Sequence, residues 1–313
     1  MTELELTGLD GSNPLGYMAA LGVQRVLHER GRDTTLRWIR RDAWRPVLGR
    51  VDRESMLLEL AEDVKSWREH APELELSYEK TTKKKTETKF EIKPPPALFQ
   101  QFAHEARKAA LGAAGRRWSD YAAAYAAAHA DQGVDGKGWT KPTALHFMAG
   151  QQLFLQQVIS LMEGLVSEVH ARLAEALFGP WRYDSKLAVL GWDLAAGERD
   201  YALRAEDPSG DKKFGVPGAD WLAFRALPLF PVVLSHRAAT TTAFDGTGKR
   251  YTFYWALWES PVAPGEARTI VGMRWDRRTE VERRARGVVL SLKSNVRRTD
   301  QGGYGSFSAA SPT

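Results

Sequence analysis

The residues of this chain whose types and spacing suit a particular chemistry are basic, and they are concentrated in two stretches. Residues 80–93 contain six lysines against two glutamates, and residues 274–298 contain nine lysines and arginines against three acidic residues. The net charge of the whole chain is only +5, so the remainder of the chain is net negative. Lysine and arginine neutralise phosphates and release bound counterions, so this placement favours an anionic polymer or an acidic protein as the partner.

The cations of these two stretches are the predicted nucleic-acid-binding residues. Arg274 and Trp275 are adjacent, which brings a cation beside an aromatic ring able to stack on an unpaired base. An alternative interpretation is that both basic stretches are ordinary solvated surface and that the 11 tryptophans mostly fill the core. The predicted binding residues are Lys83, Lys84, Lys85, Lys89, Arg274, Arg277, Arg278, Arg283, Arg284, Arg286, Lys293, Arg297 and Arg298.

Catalysis and metal binding have weaker support in the sequence. The 7 histidines form no HxH or HExxH pair, and the absence of cysteine excludes disulfides, thiolate metal sites and cysteine nucleophiles. His146 is the one histidine in a dense polar–aromatic segment, so it is the only plausible general base. The segments GVDGKG and GTGK lack the spacing of a phosphate-binding loop and are predicted to be turns. We therefore predict a non-enzymatic protein with no catalytic residue, no cofactor and no resident metal.

An α+β fold is predicted to position the basic residues, and its first elements are the clearest. The alternation of polar and apolar residues in Glu3–Leu6 indicates a strand. Ser12 or Asn13, followed by Pro14, indicates the capped start of a helix whose apolar residues recur at helical spacing. Gly22 lies within this helix and leaves room for another backbone to pack closely.

Four segments are predicted along the chain. They are an N-terminal β-α-β-α-β unit (1–93) with a basic loop (80–93), a helical segment (94–180), a mainly antiparallel β region with a basic C-terminal helix (181–300), and a flexible glycine-rich tail (301–313). The basic loop is either flexible or an exposed hairpin. Trp139–Gln157 is predicted to be a helix capped by Thr140 or Thr143, and Thr279–Arg286 a short basic helix. Strands are predicted at Leu187–Leu194, Arg199–Arg204, Leu227–Leu234, Arg250–Trp258 and Ala267–Trp275.

Composition places the chain among ordinary soluble globular proteins, with 43% hydrophobic and 27% charged residues. No apolar run approaches the roughly 20 residues that span a membrane. The acidic, alternating N-terminus is neither a signal peptide nor a transit peptide. We expect a cytoplasmic protein without a membrane partner.

Several segments together resemble the CRISPR-associated proteins of type I-G systems, formerly called I-U. The family is found as an extension of the type I-G helicase–nuclease or as a separate protein beside it, and it is more distantly similar to the large subunits of type I effector complexes. No helicase or nuclease motif of the interference enzyme is present in the sequence. The resemblance therefore implies a pathway, not an active site. The segments that carry it are LDGSNPLGYMAALGVQRVL (Leu9–Leu27), LRWIRRDAWRPVL (Leu36–Leu48), KPTALHFMAGQQLFL (Lys141–Leu155), LFGPWRYDS (Leu177–Ser185), GVPGADWLAFRALPLFPV (Gly215–Val232) and RRTDQGGYGSFSA (Arg297–Ala309).

Combined with the placement of charge, the resemblance implies a non-catalytic, RNA- or DNA-binding subunit or accessory of a type I-G CRISPR interference complex (Cascade) in antiviral defence. Its expected partners are crRNA, target DNA and other type I-G subunits, including the helicase–nuclease. A second hypothesis is a protein–protein adaptor that docks the helicase–nuclease onto the effector complex without touching nucleic acid. A third is a ribonuclease that processes the guide RNA, with His146 as its base.

Overall fold

The computed structural model describes residues 2–81, 85–112, 115–194, 214–234, 238–247, 250–298 and 304–313, and within them the predicted α+β fold is confirmed. The helices are α1 (Pro14–Glu29), α2 (Arg53–Glu69), α3 (Pro96–Ala109), α4 (Arg116–Tyr125), α5 (Phe154–Leu165), α6 (Val169–Phe178), α7 (Pro217–Arg225), α8 (Pro264–Gly272) and α9 (Glu280–Arg284). The strands are β1 (Glu3–Glu5), β2 (Thr35–Arg40), β3 (Trp44–Gly49), β4 (Ser77–Thr81), β5 (Thr86–Phe90), β6 (Val232–Leu234), β7 (Ala239–Thr241), β8 (Phe244–Thr247), β9 (Arg250–Trp258), β10 (Val288–Arg298), β11 (Gly305–Phe307) and β12 (Ser311–Pro312).

The described strands form two larger antiparallel sheets and two hairpins. The N-terminal sheet has the order β1-β3-β2, and the C-terminal sheet has the order β11-β10-β9-β8, with β12 also paired to β10. β4 pairs with β5, and β6 pairs with β7. The indole N–H groups of Trp255 and Trp258 donate to the carbonyl oxygens of Gly11 and Leu36, both 2.8 Å away. These two bonds fix the C-terminal sheet against the N-terminal part of the chain.

Helix α1 lies at the centre of the core. Its start is the predicted one, because the side chain of Asn13 accepts the N–H of Leu15 and Pro14 occupies the first turn. Every residue from Pro14 to Leu27 is buried, so α1 has neighbours on all sides. One continuous hydrophobic core extends from Leu6 to Phe307 and includes residues of all three large predicted segments.

A buried cation joins α1, α2, α4 and α7. Arg225 on α7 is fully shielded from water, and its guanidinium donates to both carboxylate oxygens of Asp63, 2.9 and 3.1 Å away. The same guanidinium donates to Glu29 and, at 2.8 Å, to the hydroxyl of Tyr121. It also lies 4.8 Å from the ring centre of Trp67. Anions and an aromatic face thus replace the lost hydration of this charge.

Two predicted elements have a different structure. The predicted helix Trp139–Gln157 is not helical before Phe154, where α5 begins. The Thr140 and Thr143 N–H groups donate instead to the distant carbonyl oxygens of Pro94 and Tyr125. Pro142 also opposes a helix in this segment, because a proline disfavours the helical conformation of the residue before it. Ala267–Trp275 is not a strand, because its first part belongs to helix α8.

The flexible tail and the strand at Leu187–Leu194 also differ from expectation. Residues 304–313 form β11 and β12 on β10, and Phe307 is buried against Phe147 with ring centres 4.9 Å apart. The described residues Leu187–Leu194 form no strand, because the Leu190 N–H donates to the carboxylate of Asp220 instead of to a neighbouring strand. The predicted strand at 199–204 lies outside the described residues.

Replacing Gly22 tests the close approach of α1 to α7. A β-carbon at this position would overlap the carbonyl oxygen of Leu222, so Gly22→Ala should lower the free energy of unfolding by about 1–3 kcal/mol or more. Gly265→Ala in α8 is the matched control, since nothing lies within 4 Å of its added carbon. Urea denaturation of both variants checks the difference, and equal stabilities would contradict the packing described.

Replacing Arg225 tests the buried charge cluster. Arg225→Met should lower the free energy of unfolding by about 3–5 kcal/mol, because Asp63 would remain buried without its cation. Adding Asp63→Leu should restore part of this loss by removing the stranded carboxylate. Chemical denaturation of the single and double variants measures both steps. A double variant no more stable than the single one would show that the loss has another origin.

Candidate nucleic-acid interface

The strands β4 and β5, which carry much of the first basic stretch, pair as an exposed hairpin, one of the two structures expected for this stretch. β4 and β5 pair with Lys80 opposite Glu87. The ammonium groups of Lys85 and Lys89 both bind the carboxylate of Glu87, and their hydrogen bonds lower its pKa to about 2. Part of the positive charge of the hairpin is therefore neutralised within it. Two predicted binding residues, Lys83 and Lys84, lie outside the described residues.

The arginines around α9 are largely engaged with acceptors of the same region. Arg278 and Arg284 each bind a glutamate four residues away on the α9 segment, at 3.4 and 2.6 Å. The remaining predicted residues of this region have the same character: Arg274 binds Asp276 and Asp245, Arg277 binds Asp245, Arg283 donates to Thr313, and Arg286 donates to the carbonyl of Glu282. The dense cluster in the sequence is thus a mixed-charge surface in the structure.

Trp275 cannot supply the predicted stacking platform. Its side chain is only 3% exposed, and its indole N–H donates to the carbonyl oxygen of Ile270 at 2.8 Å. The aromatic neighbour of Arg274 is the half-buried Tyr254 on β9, whose ring centre lies 4.4 Å from the guanidinium. The pairing of a cation with an aromatic ring is present, but with a different ring.

The outer strand face is the surface formed by Thr252 and Tyr254 of β9 with Lys293, Asn295 and Arg297 of β10. Lys293 lies opposite Tyr254 and Asn295 opposite Thr252, so their side chains share one side of the sheet. The three β10 residues are exposed, whereas the alternate residues between them are buried. Lys293 and Arg297 are therefore predicted binding residues that the structure presents to a ligand.

The basic cleft is a cavity of about 630 Å³ at the end of β10, where the two basic stretches meet. Lys93 comes from the end of the first stretch and Arg298 from the end of the second. Lys141 and His146 line the cleft between them, and Asp135 binds Lys93 at 2.9 Å. The other lining residues are Gln132, Val134, Gly136, Pro142, Thr143, Met148, Ala238 and Tyr251. Among the described residues, three cationic side chains and one carboxylate line this cleft.

Arg298 is held in place by the wall of the cleft. Its guanidinium donates to the carbonyl oxygen of His146 at 2.9 Å and lies 5.9 Å from the ring centre of Phe147. Burial lowers the pKa of Arg298, because the charged guanidinium loses part of its hydration. Burial also raises the pKa of Tyr251, and the nearby charge of Arg298 partly opposes that increase.

A buried carboxylate holds the side chain of His146. Glu91 is 5% exposed, and its oxygens accept the N–H groups of Ile92 at 2.7 Å and of Phe154 at 3.0 Å. The Nε2 atom of His146 lies 3.2 Å from the same carboxylate. Burial acts to raise the pKa of Glu91, but hydrogen bonding and charge from His146, with the two N–H groups, outweigh burial and lower it.

Lys141, Tyr251 and Glu91 were not among the predicted binding residues. Lys141 and Tyr251 lie outside the dense runs of cations on which the predictions rest, and Glu91 is an acidic residue within the first run. Lys141 lies in KPTALHFM, one of the segments that carry the family resemblance, and this was the available signal for it.

The described part of the chain was searched for clusters of metal-ligating side chains and for helices that could span a membrane. No group of three or more histidine, aspartate or glutamate side chains there could hold a metal ion. None of its helices is long and apolar enough to cross a membrane.

Comparison with known proteins adds no assignment to this geometry. No protein-family model matches the chain, and the comparison with curated proteins found no match.

The pH dependence of folding tests the ionised state of Glu91. Its lowered pKa means that the ionised carboxylate stabilises the fold fully above the ordinary value of about 4.3, and that this contribution is lost as the pH falls through the folded-state pKa. Glu91→Gln should therefore lower the free energy of unfolding at pH 7 by about 1–3 kcal/mol, with a smaller difference below about pH 4.

Urea denaturation from pH 3.5 to 7 measures this trend. Glu105→Gln is the control, because Glu105 is exposed and its ion pair with Lys108 is a surface contact of little energetic weight. A pH-independent difference between wild type and Glu91→Gln would contradict an ionised Glu91.

Proposed function

We propose that this chain is a non-catalytic, nucleic-acid-binding subunit or accessory of a type I-G CRISPR interference complex and that it acts in the cytoplasm. The family resemblance of the sequence supports the pathway. The placement of cations in the fold supports the contact with nucleic acid. Its partners would be crRNA or target DNA and the other type I-G subunits, including the helicase–nuclease.

The observation that carries the proposal is the convergence of two distant basic stretches on one end of β10. Lys93 and Arg298 are about two hundred residues apart in the chain and line the same cleft. Arg297, the neighbour of Arg298, lies on the outer strand face with Lys293. Cations therefore lie on both faces of the end of β10. This arrangement suits a nucleic-acid strand that crosses the outer strand face and ends in the basic cleft.

The outer strand face has the components of a single-strand platform. Lys293 and Arg297 can neutralise two phosphates. Asn295 between them offers its amide N–H groups to a base or sugar, since its side-chain oxygen accepts the hydroxyl of Thr252. Tyr254 offers a ring on the adjacent strand, with Arg274 against it. These groups favour single-stranded nucleic acid, because stacking requires unpaired bases.

A salt series tests the proposal. Lys293→Ala combined with Arg297→Ala should weaken binding of a single-stranded RNA or DNA and flatten the plot of log K against log salt by about 1.4, the value for two lost phosphate contacts on a single strand. The matched control is Arg278→Ala with Arg284→Ala, which removes the same charge from residues already bound to glutamates. The control should keep most of the wild-type slope.

Two outcomes would count against nucleic-acid contact. Equal slopes for the two double variants would show that the outer strand face makes no special contribution. Absence of binding at low salt to either single-stranded or double-stranded nucleic acid would favour the adaptor function.

The adaptor is the second candidate function, and the surface of α9 favours it. Glu280 of this short helix pairs with Arg284, Glu282 pairs with Arg278 just before the helix, and Val281 between the two glutamates is 79% exposed. An exposed apolar residue ringed by paired charges resembles the rim and centre of a protein interface. The same salt series separates the two functions, because an adaptor would not bind nucleic acid.

A further inference from the structure

We propose that the basic cleft binds the terminal phosphate and last nucleotide of a nucleic-acid strand, with Lys141 and Arg298 as the phosphate ligands. This inference rests on the proposed function, because it takes the strand to be one that also crosses the outer strand face. It adds a defined position for the end of that strand and a role for residues that the charge runs did not reveal.

The lining of the cleft combines the two surfaces that a nucleotide needs. Cationic groups lie at Lys93, Lys141 and Arg298, whereas Val134 and Met148 provide apolar surface. Polar and apolar groups both contribute to the lining, as a nucleotide with its charged phosphate and flat base requires. A phosphate would contact the cations, while the sugar and base would pack on the apolar residues.

Lys141 and Arg298 are positioned in advance by backbone carbonyl groups. The Nζ of Lys141 donates to the carbonyl oxygen of Ala239 at 3.2 Å, and Arg298 donates to that of His146 at 2.9 Å. The ammonium of Lys141 has three donor hydrogens and uses one in this bond, so it keeps donors for an anion, while the guanidinium of Arg298 adds its positive charge to the same cleft. Because the side chains are already held, binding loses less conformational entropy than at a flexible surface cation.

His146 acts in this site as a positioning residue. Its carbonyl oxygen holds Arg298, and its imidazole is tied to the buried carboxylate of Glu91. Glu91 is in turn anchored by the N–H of Phe154, at the start of α5. The wall that carries Arg298 is thus fixed to the core by a chain of hydrogen bonds.

The cleft suits a strand end better than the interior of a strand. Its volume of about 630 Å³ lies within the range for a single small ligand. A terminal phosphate monoester carries up to two negative charges near neutral pH, whereas each internal phosphate carries one. Several cations around one cavity therefore favour the terminal group, while the open outer strand face suits internal phosphates.

Binding of end-modified oligonucleotides tests the inference. The probes are one ten-nucleotide single strand with 5′-phosphate, with 3′-phosphate or with hydroxyl groups at both ends, and free adenosine 5′-monophosphate, in 150 mM salt. One of the two phosphorylated strands should bind about tenfold tighter than the hydroxyl strand, as expected for an added charge-assisted contact. It should also bind at least tenfold tighter than the free nucleotide, because it contacts the outer strand face as well.

Variants of the cleft assign that preference to its residues. Lys141→Met should reduce the preference for the phosphorylated end to about twofold or less, and Arg298→Gln provides a second variant, with circular dichroism confirming that each is folded. Lys137→Met is the matched control, because Lys137 is exposed in the same segment but does not line the cleft, and it should keep the full preference.

The possible results separate this inference from the proposed function. Nucleic-acid binding with no preference for a terminal phosphate would overturn the cleft assignment and leave the outer strand face intact. A preference that survives in folded Lys141→Met and Arg298→Gln would also overturn it, as would equal affinity for the free nucleotide. No binding of any strand would instead overturn the proposed function itself.

Discussion

The guanidinium of Arg225 is a charge without access to water, and the arrangement of the helices follows from the need to neutralise it. Asp63 on α2 and Glu29 on α1 must both reach this one group. Their positions fix α1 against α7, and α1 follows directly on the loop whose Gly11 carbonyl receives the indole of Trp255. The C-terminal sheet is thereby placed, and with it the end of β10. The buried charge of Arg225 and the candidate binding cations on β10 are therefore connected through α1 and the C-terminal sheet.

Local signals made some elements predictable and misled about others. Asn13 and Pro14 mark the start of α1 because capping depends on the residues at the helix terminus alone. In Ala267–Trp275, β-branched residues suggested a strand, but Pro264 in the first turn and the bond from the Ala263 N–H to Glu266 start a helix there. Start signals outweigh weak strand propensity when they lie immediately before the segment.

The residues of the candidate site could be predicted only in part from the sequence, because ion pairing and tertiary packing decide which cations are available. A run of arginines predicts a binding surface, but the glutamates of α9 lie four residues from Arg278 and Arg284 and form ion pairs with them. Much of the positive charge of this region is therefore neutralised within the protein. Lys293 and Arg297 were predicted because they belong to a run, and they are exposed because strand alternation turns them outward. Lys141 enters the basic cleft only through tertiary packing, which no local pattern expresses. The density of cations in the sequence therefore predicts binding residues less well than the number of carboxylates close enough to pair with each cation.

The burial of α1 from Pro14 to Leu27 has a consequence for how the chain folds during synthesis. Its neighbour α7 is reached by a hydrogen bond from Arg25 to the carbonyl of Arg225, across 200 residues of sequence. During synthesis, α1 therefore emerges long before the surface that covers it, with apolar groups on every side. Contacts so distant in sequence slow folding and prolong the exposure of apolar surface. The N-terminal helix can be covered completely only after the second half of the chain has been synthesised.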